Sequence, residues 1–155
     1  MTIERHHTGP RMSQIVVHGD TIYLAGIVAQ ANKGKSVTEQ TREILATIDA
    51  YLAQAGSDKS KVLAATIYLT DMGSFAEMNA VWDTWVVAGA TPARATVEAK
   101  LAAPDYKVES RVTAAKERRL APGDFDDGGR RTTRHPGDLE RRPQRSCGGV
   151  LGLVP

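Results

Sequence analysis

Between Ser36 and Gly56 the chain carries a segment whose two ends and one face are all marked in the sequence. Ser36 stands three residues before Glu39, the spacing at which a serine hydroxyl and a glutamate carboxylate satisfy each other's free N–H groups at a helix start. Val37, Ile44, Leu45, Ile48, Leu52 and Ala55 recur at helical spacing, and Gly56 supplies the conformation that closes a helix. This spacing predicts one amphipathic helix of about five turns. A helix that is apolar on one side must bury that side against another layer, and the flanking segments indicate a sheet.

Residues 13–18 and 21–27 read as two strands joined by a turn at Gly19-Asp20, the second rich in β-branched and aromatic residues. Residues 62–70 form a strand with apolar side chains on both faces, as a central position requires. Ser74 and Glu77 repeat the capping spacing ahead of a second helix, which presents Phe75, Met78, Val81, Trp82, Trp85 and Val86 on one side and ends by Pro92. Residues 94–101 and 107–115 alternate as strands: Ala95, Val97, Ala99 and Leu101 share one face of the first, and Val108, Val112 and Ala114 one face of the second.

The order β-β-α-β-α-β-β predicts an α+β domain, a mixed sheet with two helices packed on its apolar face. Arg94, Glu98, Lys100, Glu109 and Arg111 fall opposite those apolar positions, so Arg94 and Glu109 are expected to look out from the same side of the sheet. That side is only partly polar, which predicts oligomerisation through the sheet.

The charge divides the chain near Glu117. Residues 1–117 hold 12 Lys and Arg against 13 Asp and Glu, whereas residues 118–155 hold eight Arg, no Lys and five acids, with seven of the fourteen Gly and four of the seven Pro. Such a segment buries too little apolar surface to offset the entropy of ordering it, so residues 1–117 are expected to fold and 118–155 to form a disordered Arg/Gly/Pro-rich tail. Acids lie among its Arg pairs, which argues against a nucleic-acid partner. The single cysteine, Cys147, excludes an internal disulfide and a Cys-based metal site, and His6 and His7 have no further ligands at recognisable spacing. The first fourteen residues contain no apolar signal-type stretch and nothing resembles a spanning helix, so no membrane partner and a cytoplasmic location are expected.

Arg94 opens a strand in the run Thr91-Pro92-Ala93-Arg94-Ala95-Thr96-Val97-Glu98. A guanidinium at the start of a rigid strand is a fork whose planar donors match both oxygens of a carboxylate, which points to a small anionic substrate; a solvated strand-end charge would read the same way.

An ordered series of short motifs carries a family resemblance. Glu39-Gln40-Thr41-Arg42 opens the first helix and Ala55-Gly56-Ser57 closes it; Lys61-Val62 leads into the central strand and Leu69-Thr70-Asp71-Met72 follows it. Phe75-Ala76-Glu77-Met78-Asn79 opens the second helix and Pro92-Ala93-Arg94-Ala95-Thr96-Val97-Glu98 the next strand. From about Gly9 to Lys116 the chain resembles the reactive intermediate deaminase, or YjgF-like, family. The resemblance implies a chorismate-mutase-like fold and a homotrimer with pockets between subunits. It also implies hydrolysis of 2-imino and 2-enamino acids to 2-keto acids and ammonia, with no cofactor and no metal. It assigns the substrate carboxylate to Arg94, the attacking water to Glu109, and further pocket positions to Asn79 and Gly26.

Two positions depart from the family pattern. Gly9-Pro10-Arg11-Met12-Ser13 stands where active deaminases carry Gly-Pro-Tyr-Ser, and Ala25-Gly26-Ile27 where they carry Ser-Gly-Gln. The tyrosine and serine hydroxyls are therefore replaced by Met12 and Ala25, which points to a subgroup with altered substrate or weaker activity. The competing functions are a non-catalytic 2-keto acid binding protein on the same scaffold and, third, an endoribonuclease.

Overall fold

A computed structural model describes residues 1–117 of the 155, so the expected tail and Cys147 lie outside the described residues. The chain runs β1 (Ile3–Thr8), β2 (Ser13–His18), β3 (Thr21–Leu24), β4 (Ile27–Val28), α1 (Val37–Gln54), β5 (Val62–Leu69), α2 (Phe75–Trp85), β6 (Ala93–Glu98) and β7 (Val108–Ala115). One sheet has the order β1-β2-β3-β7-β5-β6, with β4 also paired to β7. β5 and β6 are parallel, which requires a crossover, and α2 supplies it; the other pairings are antiparallel.

Both helices cover one face of the sheet. Ile44, Ile48 and Leu52 of α1 and Met78 of α2 meet Ile15, Ile22, Leu24, Ile67, Leu69 and Val108, all but inaccessible to water. Ser36 accepts the Glu39 N–H at 3.2 Å while the Glu39 carboxylate accepts the Ser36 N–H at 3.2 Å, so the expected capping box forms. Gly56 takes φ +81° and Ser57 N–H donates to the Leu52 carbonyl at 2.8 Å, closing α1 in the left-handed conformation that favours glycine. No helix among the described residues is long and apolar enough to cross a membrane.

Four expectations are corrected. The strand β1 was not read from Ile-Glu-Arg-His-His-Thr, which lacks apolar alternation because β1 is an exposed edge strand held by backbone pairing to β2. Its His7 stacks on Tyr51 at 5.3 Å and its Nε2 lies 2.8 Å from Gln54 Oε1, so this imidazole is engaged in packing on α1. The strand expected over 21–27 is broken at Ala25-Gly26 into β3 and β4. The second capping box does not form: Ser74 Oγ donates to the Asp71 carbonyl, and Glu77 instead accepts the Thr38 N–H and hydroxyl at 3.0 and 2.9 Å, capping α1 from the neighbouring helix. Finally, α2 ends at Trp85, well before Pro92, because Val86 is already extended.

The loop from β4 to α1 is held by one carboxylate. Glu43 accepts the Ala31 N–H at 2.9 Å, the Asn32 N–H at 2.8 Å and the Asn32 side-chain amide at 2.7 Å. Burial pushes its carboxyl upward, but these donors outweigh burial and leave it below its ordinary value of 4.5. A carboxyl lowered by folding contributes stability above its unfolded value and loses that contribution as pH falls through the folded one. Glu43→Gln is therefore expected to cost about 1 kcal/mol at pH 7. Urea midpoints measured down a pH series should show the gap between the two proteins closing below the Glu43 titration.

Candidate active site

β6 starts with Ala93 beside Ala64 and Arg94 beside Ala65. Ala65, Ile67 and Leu69 of β5 are buried beneath the helices, so Arg94, which shares a side with Ala65, leans toward α2. Phe75, Asn79 and Trp82 recur on one stripe of α2 and receive it. Arg94 Nη1 donates to Asn79 Oδ1 at 2.9 Å, and the guanidinium lies 5.1 Å from the Trp82 ring centre and 5.9 Å from that of Phe75. Cation–π contacts contribute roughly 0.5–1 kcal/mol each at exposed sites and use no N–H donors. Among the described residues the Asn79 bond is the one hydrogen bond of the guanidinium, which leaves the rest of the exposed fork available to a carboxylate.

Glu109 lies elsewhere. In β7 it sits beside Tyr68 of β5, and Tyr68 alternates with the buried residues of its strand, so both face away from the helices. The expectation that Arg94 and Glu109 share a side of the sheet is therefore overturned. Alternation was read correctly within β6 and β7, but the apolar side of β6 was assigned to the helices. The parallel register instead turns Ala93, Ala95 and Val97 to the open face, where Val97 is 41% exposed.

Gly26 belongs with Glu109. It stands at the break between β3 and β4, and a methyl group placed on its Cα would overlap Oε1 of Glu109. The carboxylate thus rests against bare backbone at a point where any side chain would displace it. The two residues share a cavity of about 260 Å³ with Tyr68, Lys100 and Arg111. β6 ends at Glu98, and beyond that end Lys100 reaches this cavity, while Glu98 stays on the helix side and accepts the Met72 N–H at 2.9 Å. Buried Gln40 of α1 fixes the approach to β7: its amide donates to the Asp105 carbonyl at 2.9 Å and accepts the Lys107 N–H at 2.9 Å.

The four residues singled out from the sequence therefore form two pairs, Arg94 with Asn79 on the helix side and Glu109 with Gly26 on the open side. None of the ion pairs among the described residues joins Glu109 to Lys100 or to Arg94. Three neighbours were missed. Trp82 is buried in the core, as its place on the apolar side of α2 suggests, but its ring also faces Arg94, and its spacing from Asn79 already put it on the same stripe. Phe75 was likewise assigned to the packed side of α2, yet it is 40% exposed beside Arg94. Tyr68 follows from alternation along β5 once β7 is known to be its neighbour.

Because the Gly26 Cα is crowded by the far end of a flexible side chain, Gly26→Ala is expected to fold, with Glu109 displaced. The expected outcome is a melting temperature close to wild type, with a structure of the variant showing the Glu109 carboxylate moved off position 26.

The chain is similar to known proteins. The family model described as Endoribonuclease L-PSP matches residues 3–116. The RutC family protein YoaB of Escherichia coli is 48% identical over 115 residues, covering 74% of this chain and 99% of the relative. The crystal structure of NMB1025, a YjgF family member from Neisseria meningitidis, superposes with a TM-score of 0.74 at 50% identity, covering 77% of this chain and 98% of the other. Rv2704 of Mycobacterium tuberculosis, of the YjgF/YER057c/UK114 family, gives a TM-score of 0.62 at 28% identity, covering 67% and 86%. Sheet order, helix placement and these neighbours define the chorismate-mutase-like α+β class. Within it, the chain belongs to the YjgF-like family, the RutC and reactive intermediate deaminase relatives whose family model bears the L-PSP name.

Proposed function

We propose that the protein hydrolyses 2-imino and 2-enamino acids to 2-keto acids and ammonia without a cofactor, in sites completed between copies of the chain. The observation that carries this reading is the split of the site: the Arg94 anion fork on one face, and the Glu109 carboxylate cavity on the other. Stacking the open face of one copy against the Arg94 side of another joins the two. Ala64, Ala93, Ala95, Val97 and Tyr23 give that open face an apolar surface suited to burial. The assembly we propose is a homotrimer with three such pockets.

The chemistry asks little of the protein. A protonated imine carbon is already electrophilic, so a fixed carboxylate and a positioned water supply most of what is needed. Arg94, held by Asn79, grips the substrate carboxylate. Glu109 takes a proton from water as its oxygen bonds to the imine carbon, and returns it to the nitrogen. The C–N bond of the resulting carbinolamine, its nitrogen now an ammonium, then breaks as Glu109 takes the hydroxyl proton, ammonia leaves, and the C=O of the keto acid forms.

A second reading keeps the pocket without the turnover. Met12 and Ala25 stand where the resemblance calls for hydroxyls, and Met12 is 46% exposed without a polar group to offer; the protein would then bind 2-keto acids. RNA cleavage has less support, since residues 1–117 carry 12 basic against 13 acidic side chains rather than the excess of cations a polyanion requires.

Imine lifetime tests the proposal. With 2-iminopropanoate generated in situ by an amino-acid oxidase and trapped as its semicarbazone, wild type should reduce the trapped fraction and Arg94→Ala should restore it. Equal trapping with and without the protein, across several imino acids, would leave the binding reading in its place.

A further inference from the structure

We propose that Lys100 and Arg111 form a second acid-binding subsite beside Glu109, so that the preferred substrates are 2-imino dicarboxylates rather than monocarboxylates. The inference rests on the imine-hydrolysis reading and names the substrate class of that same site.

Both cations line the cavity that holds Glu109 and Gly26. Arg111 follows Glu109 by two residues in β7, so the two side chains leave the same face about 7 Å apart along the strand. Lys100 approaches from the segment beyond β6, and Tyr68 lines the same space. Two positive charges thus surround one negative charge in a partly enclosed volume.

Among the described residues neither cation is held in an ion pair. The ion pairs among the described residues are made by His6, Lys61 and Lys116, and none involves Lys100 or Arg111. The acid nearest in sequence to Lys100, Glu98, is on the other side of the sheet with the Met72 N–H. A substrate whose first carboxylate is taken by Arg94 therefore still meets a surplus of positive charge next to the water-handling group. A second carboxylate on the substrate answers that surplus, and an apolar side chain does not.

The separation also orients the reaction. With one carboxylate at the Arg94 fork and the other at Arg111 and Lys100, the imine carbon lies between the two anchors, where Glu109 projects. Arg111 suits this use because its planar fork binds a carboxylate through two parallel bonds, and Lys100 adds a mobile point charge.

The test compares 2-iminosuccinate, generated from aspartate by an aspartate oxidase, with 2-iminopropanoate, generated from alanine, using the full chain. The quantity read is the ratio of kcat/KM for the diacid to that for the monoacid. Wild type should give a ratio of about tenfold or more. The double variant Arg111→Gln/Lys100→Gln should bring it to about one, and Arg111→Lys, which keeps the charge, should fall between. A wild-type ratio near one, or a ratio unchanged in the double variant, overturns the subsite.

Binding of oxaloacetate and pyruvate, followed by calorimetry, separates this proposal from the deaminase reading. Tighter oxaloacetate binding that the double variant abolishes, with neither imine hydrolysed, would uphold the subsite and end the deaminase reading. Hydrolysis of both imines at equal efficiency, with equal binding of the two keto acids, would end the subsite and leave the deaminase. Binding of neither keto acid would end the subsite as well.

Discussion

Arg94→Ala is expected to lower kcat/KM for a 2-imino acid by about 10²–10⁴-fold, the value of two charge-assisted hydrogen bonds to a carboxylate. The loss should appear in substrate binding and in the positioning of the imine carbon, because one guanidinium serves both. Stability should change little, since Arg94 is exposed and its protein contacts are one hydrogen bond and two ring faces. Arg94→Lys is the informative companion: it keeps the charge but loses the fork, and its activity should stay well below wild type. Steady-state kinetics beside a thermal melt of each variant would show whether activity and folding separate in this way.

Glu109→Gln should have a comparable effect through a different route. Glutamine has nearly the same shape and still fits against Gly26, but it takes no proton from water. General-base catalysis is worth typically about 10²–10⁴-fold, and the loss should fall on kcat with KM nearly retained. The contrast with Arg94→Ala therefore distinguishes the two faces of the sheet by kinetics. A parallel loss of affinity for a 2-keto acid in Glu109→Gln would argue against its role with water and for a role in ligand binding.

How much of this was legible in the sequence depended on whether the signal was local. The first helix was, because its cap, its apolar stripe and its closing glycine all act within a few residues of one another. The strand β1 was not, because an edge strand with both faces exposed has no need of alternating apolar residues. The side of the sheet from which Arg94 projects was also beyond the sequence. Alternation reports a period but not its sign, and the usual assumption that apolar residues face the helices fails for Ala95 and Val97, which turn to the open face. The register of β6 against β5 decides it, and that register is a long-range property. Glu77 shows the same limit: its spacing from Ser74 suited a cap on its own helix, yet its carboxylate is used by Thr38. Type and motif singled out Arg94, Asn79, Glu109 and Gly26, but not that Arg94 with Asn79 and Glu109 with Gly26 lie on opposite sides of the sheet.

The central claim, that Arg94 of one copy works with Glu109 of another, is tested most directly by mixing two inactive variants. Arg94→Ala and Glu109→Gln chains would be unfolded together, refolded, and assayed for imine hydrolysis against each variant refolded alone. In mixed assemblies an Arg94→Ala chain still supplies Glu109 and a Glu109→Gln chain still supplies Arg94. Random assembly should then restore about a quarter of the wild-type activity. If the two residues instead act within one chain, every site carries a defect and the mixture stays as inactive as its components.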